Sequence, residues 1–202
     1  MQHEAMDISD IRIETERLRI RPFREADLED FYRYASVPGV GEMAGWPHHD
    51  SIETSRQILL SFIEEREVLA LEDRASGRVI GSLGVHSSWA NTDPRFSHLK
   101  AYEIGYVLSR DYWGQGLMPE AVTAVIDYIF RNSDCDLLTC SHFQSNTQSR
   151  RVIEKAGFRF ERHGSYHAKL INEIYPDSTY ILHRSDWQKQ KLTEKGQDHD
   201  QH

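Results

Sequence analysis

A strand, a glycine turn and a helix follow one another between Ala101 and Arg131, and no other stretch restricts the fold so tightly. Tyr102, Ile104, Tyr106 and Leu108 alternate with Glu103, Gly105 and Val107, the period of a half-buried strand. The turn reads Trp113-Gly114-Gln115-Gly116-Leu117-Met118. Pro119 suits the first turn of a helix, where its missing N–H costs nothing. Val122, Val125, Ile126 and Ile129 make that helix amphipathic. A helix start leaves backbone N–H groups unpaired and carries partial positive charge. Glycines beside it allow a tight turn and close backbone approach, which suits the unit to phosphate groups. The bland alternative is a bare strand-to-helix turn.

The flanking sequence supplies the partners this unit needs. In Thr15 to Phe23, Leu18 and Ile20 alternate with Arg17, Arg19 and Arg21, another half-buried strand. Leu28, Phe31, Tyr32 and Ala35 fall on one helical face, closed by Pro38 and Gly39. Asp50 and Glu53 have capping-box spacing and open a second helix, with Ile52, Leu59, Phe62 and Ile63 expected inward. Val68 to Leu71 and Val79 to Val85 read as a hairpin about Ala75-Ser76-Gly77. The continuously apolar start of Leu137 to Phe143 suits a central strand. Ser149 to Ala156 reads as a short helix closed by Gly157. Arg159 to Lys169 and Ser178 to His183 read as two last strands. The expected architecture is α/β: one domain over residues 11–187 with a mixed central β-sheet flanked by helices. Residues 1–10 and 188–202 are polar termini, expected to be loosely ordered.

Composition narrows the function. The 202 residues carry 24 Lys plus Arg against 32 Asp plus Glu, a net charge of −8. A binder of nucleic-acid backbones would carry a basic excess, so no nucleic-acid partner is expected. Net acidity mildly favours cationic small partners such as amines. No apolar run approaches the ~20 residues of a membrane span, and Met1 to Asp10 is too acidic and polar for a signal peptide. The expected location is therefore the cytoplasm, with no membrane partner. Cys135 and Cys140, the 2 cysteines of the chain, are too few for a disulfide framework and read as reduced thiols. The chain has no HExxH, and His163 and His167 lie in an expected strand, about 13 Å apart along it, so no metal site is expected.

Two familiar phosphate loops do not match the glycine turn. A dinucleotide fingerprint needs a third glycine where Pro119 stands, and a Walker loop needs G-K-[ST] after its glycines. Four segments, taken in order, point elsewhere. Thr15-Glu16-Arg17-Leu18 runs on to Arg21-Pro22-Phe23. Glu103-Ile104-Gly105-Tyr106-Val107-Leu108 precedes Tyr112-Trp113-Gly114-Gln115-Gly116 and Glu120-Ala121. Asn146, Ser149, Arg150, Arg151, Val152, Glu154, Lys155, Gly157 and Phe158 form a third block, and Tyr180 to Trp187 closes the set. Together, over about Ile13 to Trp187, the chain resembles the GNAT superfamily of acyl-CoA-dependent N-acyltransferases. It is most similar to the branch of ribosomal-protein N-terminal acetyltransferase-like proteins. It departs from the superfamily loop in having Trp113 at its start and Met118 at its end, and from the branch in having Pro119 where Thr or Ser is usual.

The resemblance implies an acetyl-CoA cosubstrate and assigns residues to it. The pyrophosphate would rest on the Gly114 to Met118 turn, on N–H groups of Gln115, Gly116, Leu117 and Met118. The pantetheine arm would pair with Tyr106, Val107 and Leu108, in a gap where the strand of Glu103 splays from Leu137 to Phe143. Asn146 would hold the pantetheine, and Ser149 would sit near the sulfur. Trp46, near His48-His49-Asp50, would line the acceptor side, or belong to a plain helix-entry loop.

The reaction so implied is direct attack of an amine on the thioester carbonyl, with a strand N–H near Val107 as oxyanion donor. Glu103 is the candidate base, acting through water; the alternative is a structural carboxylate paired with a neighbouring Arg. Ser149 is the candidate stabiliser or proton donor for the thiolate; it would equally serve as a helix N-cap. His142 as relay and Tyr180 as proton donor stand against ordinary hydrogen-bonded and core roles. An α-amine, with a pKa of about 7.7–8.0, asks less of a base than a lysine near 10.4. The absence of an obvious strong base favours an α-amine or similarly weak amine as acceptor, with a protein N-terminal α-amine as the leading case. A small-molecule amine (polyamine, drug or amino-acid derivative) and a non-catalytic acyl-CoA-binding module are the alternatives. The expected state is a monomer or homodimer.

Overall fold

The computed structural model describes residues 6–199, with side chains to residue 193. Eight strands form one mixed sheet in the order β1-β2-β3-β4-β5-β6-β8-β7. They are β1 (Ile13–Glu14), β2 (Leu18–Pro22), β3 (Val68–Asp73), β4 (Val79–Ser87), β5 (Ala101–Leu108), β6 (Leu137–Phe143), β7 (Arg159–Ala168) and β8 (Glu173–His183). The helices are α1 (Leu28–Ala35), α2 (Ile52–Glu65), α3 (Leu117–Asn132), α4 (Thr147–Lys155) and α5 (Arg184–His199). Val122, Val125, Ile126 and Ile129 of α3 pack with Tyr102 and Ile104 of β5 in one large core. Burying each such side chain is worth roughly 1.5–3 kcal/mol. On the opposite sheet face α1 and α2 enclose a second core around Phe31, Tyr34, Leu59 and Ala70.

One break in the sheet creates the site. β5 pairs with β4 from Tyr102 through Leu108. Its parallel pairing with β6 runs only from Ala101↔Leu137 to Glu103↔Thr139. β6 meanwhile stays paired with β8 as far as Phe143↔Asp177. Beyond Glu103 the two central strands therefore diverge, as the resemblance implied.

Several local expectations are corrected. Arg21 is not on the solvent face of β2; it is buried, bonded to Asp27 at 2.8 and 2.9 Å and to Glu72 at 2.8 Å. Two carboxylates neutralise it, which lets an alternating polar position turn inward. In α1 Tyr34, not Tyr32, joins the buried face, edge-on to Phe31 at 5.4 Å. The cap of α2 is Ser51, whose Oγ accepts from the Thr54 N–H at 3.1 Å, while Glu53 turns to Arg56. That places Ile52 at the exposed first turn. α4 starts earlier than the sequence suggests, so Ser149 is not its cap; Asn146 is.

Both ends of the domain also differ from the polar reading. Ile8 and Ile11 are buried in the main core, and the Ile8 N–H donates to Arg66 O at 3.0 Å. From Arg184 the chain continues as α5, held to α3 by Trp187. Its indole N–H donates to Asp127 at 2.7 Å and its ring packs on Phe130. Residues 1–5 and 200–202 lie outside the described residues. Cys135 and Cys140 are free and buried, as expected.

Candidate active site

The splay opens into a groove of about 990 Å³ that crosses the sheet. At one end lies the turn into α3. Gly114 and Gly116 have φ of 75° and 77°, a left-handed backbone that costs other residues about 1–2 kcal/mol. Gly116 is the N-cap of α3 and offers no side-chain cap, unlike Ser51 on α2 and Asn146 on α4. The first-turn N–H groups of Leu117 and Met118 are thus left to an external acceptor, and Pro119 has none to offer. A Cβ at Gly114 would meet nothing within 4 Å, so the backbone is open to close approach there. This turn fits an acyl-CoA pyrophosphate.

The turn is anchored from behind. The Arg17 guanidinium donates to Gln115 O at 2.8 Å and pairs with Glu120 at 2.6 Å. Glu120 also accepts from the Thr15 hydroxyl at 2.5 Å and the Arg17 N–H at 2.9 Å. The Trp113 indole donates to Leu108 O at 2.8 Å and pins the end of β5 to the turn.

Midway along the groove β5 faces α4. Tyr106 Oη lies 2.9 Å from Ser149 Oγ and 3.2 Å from Ser149 O. Asn146 Oδ1 accepts from the Ser149 N–H at 3.0 Å, which leaves its amide NH₂ as a donor. At the other end Glu103 accepts from Ser141 Oγ at 3.3 Å, and Ser141 lies 3.4 Å from Thr179 Oγ1.

The match to known families decides the identity. The family model described as "Acetyltransferase (GNAT) domain" matches residues 17–159, well over half the chain. The chain belongs to the GNAT acetyltransferase family.

As a GNAT acetyltransferase it is an acetyl-CoA-dependent acyltransferase of amine acceptors. It is 27% identical over 154 residues to the uncharacterized N-acetyltransferase YoaA of Bacillus subtilis (strain 168), covering 74% of this chain and 83% of that protein. A GNAT-family acetyltransferase of known structure from Bacillus anthracis superposes with a TM-score of 0.76 at 23% identity, over 87% of this chain and 99% of that one. The ribosomal-protein-S5-alanine acetyltransferase of Vibrio fischeri gives 0.69 at 21%, over 88% and 99%. These two likenesses support the fold.

The GNAT domain gathers nearly all the residues picked out in the sequence. Glu103, Tyr106, Val107, Leu108, Gly114, Gly116, Leu117, Met118, Asn146 and Ser149 line the groove, and so does Trp46. Trp46 lies over Gly41 and against His49. Gln115 is the exception. Its side chain donates to Asp111 O at 3.0 Å and its carbonyl is taken by Arg17. His142 lines the groove with Nδ1 2.7 Å from Phe143 O, so Nδ1 carries the proton and Nε2 faces the Tyr180 hydroxyl at 3.4 Å.

The electrostatics distinguish the two ends. Burial raises the Glu103 pKa above its ordinary value, against a smaller lowering by Ser141 and His86. Burial likewise pushes the Tyr106 phenol well up. The carboxylate of Glu120 moves the other way: burial alone would raise it, but its bonds from Thr15 and Arg17 prevail and hold it low.

Sequence reasoning missed three groups of groove residues. His86, register partner of Glu103, is fixed by Glu67 at 2.8 Å. Arg151 and Lys155 of α4 line the groove and bring positive charge to an acidic chain. Asp177 of β8 lines it too. The Arg151 and Lys155 spacing of i, i+4 was readable as one helix face. The other two depend on strand register, which local pattern does not give. Among the described residues no cluster of His, Cys, Asp and Glu is placed to hold a metal ion, and no helix is long and apolar enough to cross a membrane.

Proposed function

We propose that the protein acetylates the α-amine of a peptide or protein N-terminus, with Glu103 as base and Ser149 beside the leaving sulfur. One observation carries the reading. β5 parts from β6 immediately after Glu103, so a single groove runs from the uncapped start of α3 past Ser149 to a buried carboxylate. Acetyl-CoA supplies a thioester carbonyl, and the amine attacks it. The unpaired edge of β5 from Gly105 to Leu108 offers backbone groups to the pantetheine arm, and a fixed N–H near Val107 suits the developing oxyanion.

The acid–base demands match the residues. An α-amine is already about a tenth neutral at pH 7, so a carboxylate of raised pKa, working through water, suffices. Ser149, hydrogen-bonded to Tyr106, gives the leaving thiolate a donor without a charged acid.

Thiol release from acetyl-CoA tests this with a panel of peptides of different first residue, polyamines and amino-acid amides. Turnover of peptide α-amines over small amines is the expected result. Turnover restricted to small amines would move the acceptor class. Thermal stabilisation by acetyl-CoA with no turnover at all would leave only a binding module.

A further inference from the structure

Asp177 is a carboxylate of the groove that the acetyl transfer described above does not use. It pairs in register with Phe143 of β6 and Gly164 of β7. Its Oδ1 is buried without a hydrogen-bond partner among the described residues. A buried carboxylate oxygen left unpaired costs more than a hydrogen bond returns, so its retention needs a reason. Gly164 makes the room for it, since a Cβ there would come within 2.8 Å of Oδ1.

The carboxylate lies on the acceptor side. Glu103 bonds Ser141, Ser141 pairs in register with Thr179, and Asp177 is two residues from Thr179 on the same face of β8. The charged and titratable neighbours are Arg162, His142, His163 and Glu103. Arg162 attracts it through space but makes no direct ion pair with it, being stacked 4.1 Å over Trp89 and paired with Asp93 at 3.6 Å. Two carboxylates therefore face one groove, one beside the reacting end and one beyond it.

We propose that Asp177 binds a second cationic nitrogen of the acceptor, so that the enzyme selects amines carrying two positive charges. This rests on the reading that the acceptor amine enters beside Glu103. For a peptide the second charge is a basic side chain next to the terminal amine; for a small molecule it is the far nitrogen of a diamine. The site recognises the same chemistry in both.

The test measures thiol release by the full chain with matched acceptors. One arm compares a peptide with lysine at position 2 against the same peptide with norleucine; the other compares 1,4-diaminobutane against butylamine. The arm that shows the preference identifies the source of the charge. Wild type should favour the dication by about 10-fold or more in KM, the scale of a hydrogen bond to a charged group. Asp177→Asn should remove that preference, leaving the two members of each pair with equal KM. Gly164→Ala, which leaves the carboxylate in place chemically but displaces it, should do the same. Equal losses for both members of each pair, or no change, would overturn the assignment. Turnover with no acceptor, while acetyl-CoA still raises Tm, would overturn the acceptor reading itself.

Discussion

The Tyr106 hydroxyl reaches across the splay to Ser149, 2.9 Å from its Oγ and 3.2 Å from its carbonyl. It is a strut joining β5 to α4 where the sheet itself no longer joins them. A gap between strands would otherwise be free to widen or close, because backbone pairing ends at Glu103↔Thr139. Tyr106→Phe should therefore lower stability by about 1 kcal/mol, read from the denaturation midpoint. It should also lower kcat more than it changes the KM for acetyl-CoA. A double-mutant cycle with Ser149→Ala should show coupling; additive effects would mean that the strut carries no energy.

Glu103→Gln should cut kcat by about 100-fold or more with acetyl-CoA binding retained. The pH profile gives the sharper reading. Burial raises the Glu103 pKa, so the acid limb of kcat/KM should lie above the ordinary carboxylate range and vanish in the variant. Stability should move the opposite way to activity. A carboxyl whose folded pKa is raised stabilises the fold below its unfolded value, about 4.3, and that contribution is lost as pH rises through the folded value. At neutral pH the ionised group is a burden, and the Gln variant should have a higher Tm there, with the gain fading in acid.

Gly116→Glu should abolish the Tm shift caused by acetyl-CoA while the fold stays cooperative. The φ of 77° makes any Cβ costly by about 1–2 kcal/mol, and an added carboxylate would repel a pyrophosphate from the start of α3. An unchanged cofactor shift would place the diphosphate elsewhere.

How much of this the sequence disclosed follows from how local each signal is. The β5 turn and α3 were legible because positive-φ glycines, a helix start and a 3.6-residue apolar stripe are all written within thirty residues. The hairpin at Gly77 and the closure at Gly157 are equally local. The misplaced details have a common cause in side chains satisfied from far along the chain. Arg21 turns inward because Glu72 on the next strand accepts it, and the polar stretch from Gln188 to His199 is helical because Trp187 docks on α3. Asp177 and His86 stayed hidden because only cross-strand register sets them near Glu103. The splay itself came from resemblance, since no periodicity marks where two strands part.

Glu120 ties together two segments that lie about a hundred residues apart in the chain. Its carboxylate receives the Thr15 hydroxyl, the Arg17 N–H and the Arg17 guanidinium, while Arg17 also holds Gln115 O. The segment leading into β2 is thus latched to the first turn of α3, and the glycine turn before α3 is braced between them. The net lowering of the Glu120 pKa fixes the sign of its pH dependence. A carboxyl held below its unfolded value stabilises the fold above that value, and the contribution is lost as pH falls through the folded one. Glu120→Gln should therefore lower Tm at pH 7, and the gap to wild type should start to narrow as pH falls below the ordinary glutamate value, about 4.3, and close once pH has passed below the lower folded value. Because the latch positions the turn, the variant should also raise the KM for acetyl-CoA several-fold while leaving kcat at saturation near wild type. A Tm difference that persists unchanged at low pH would mean that Glu120 acts by shape and not by charge.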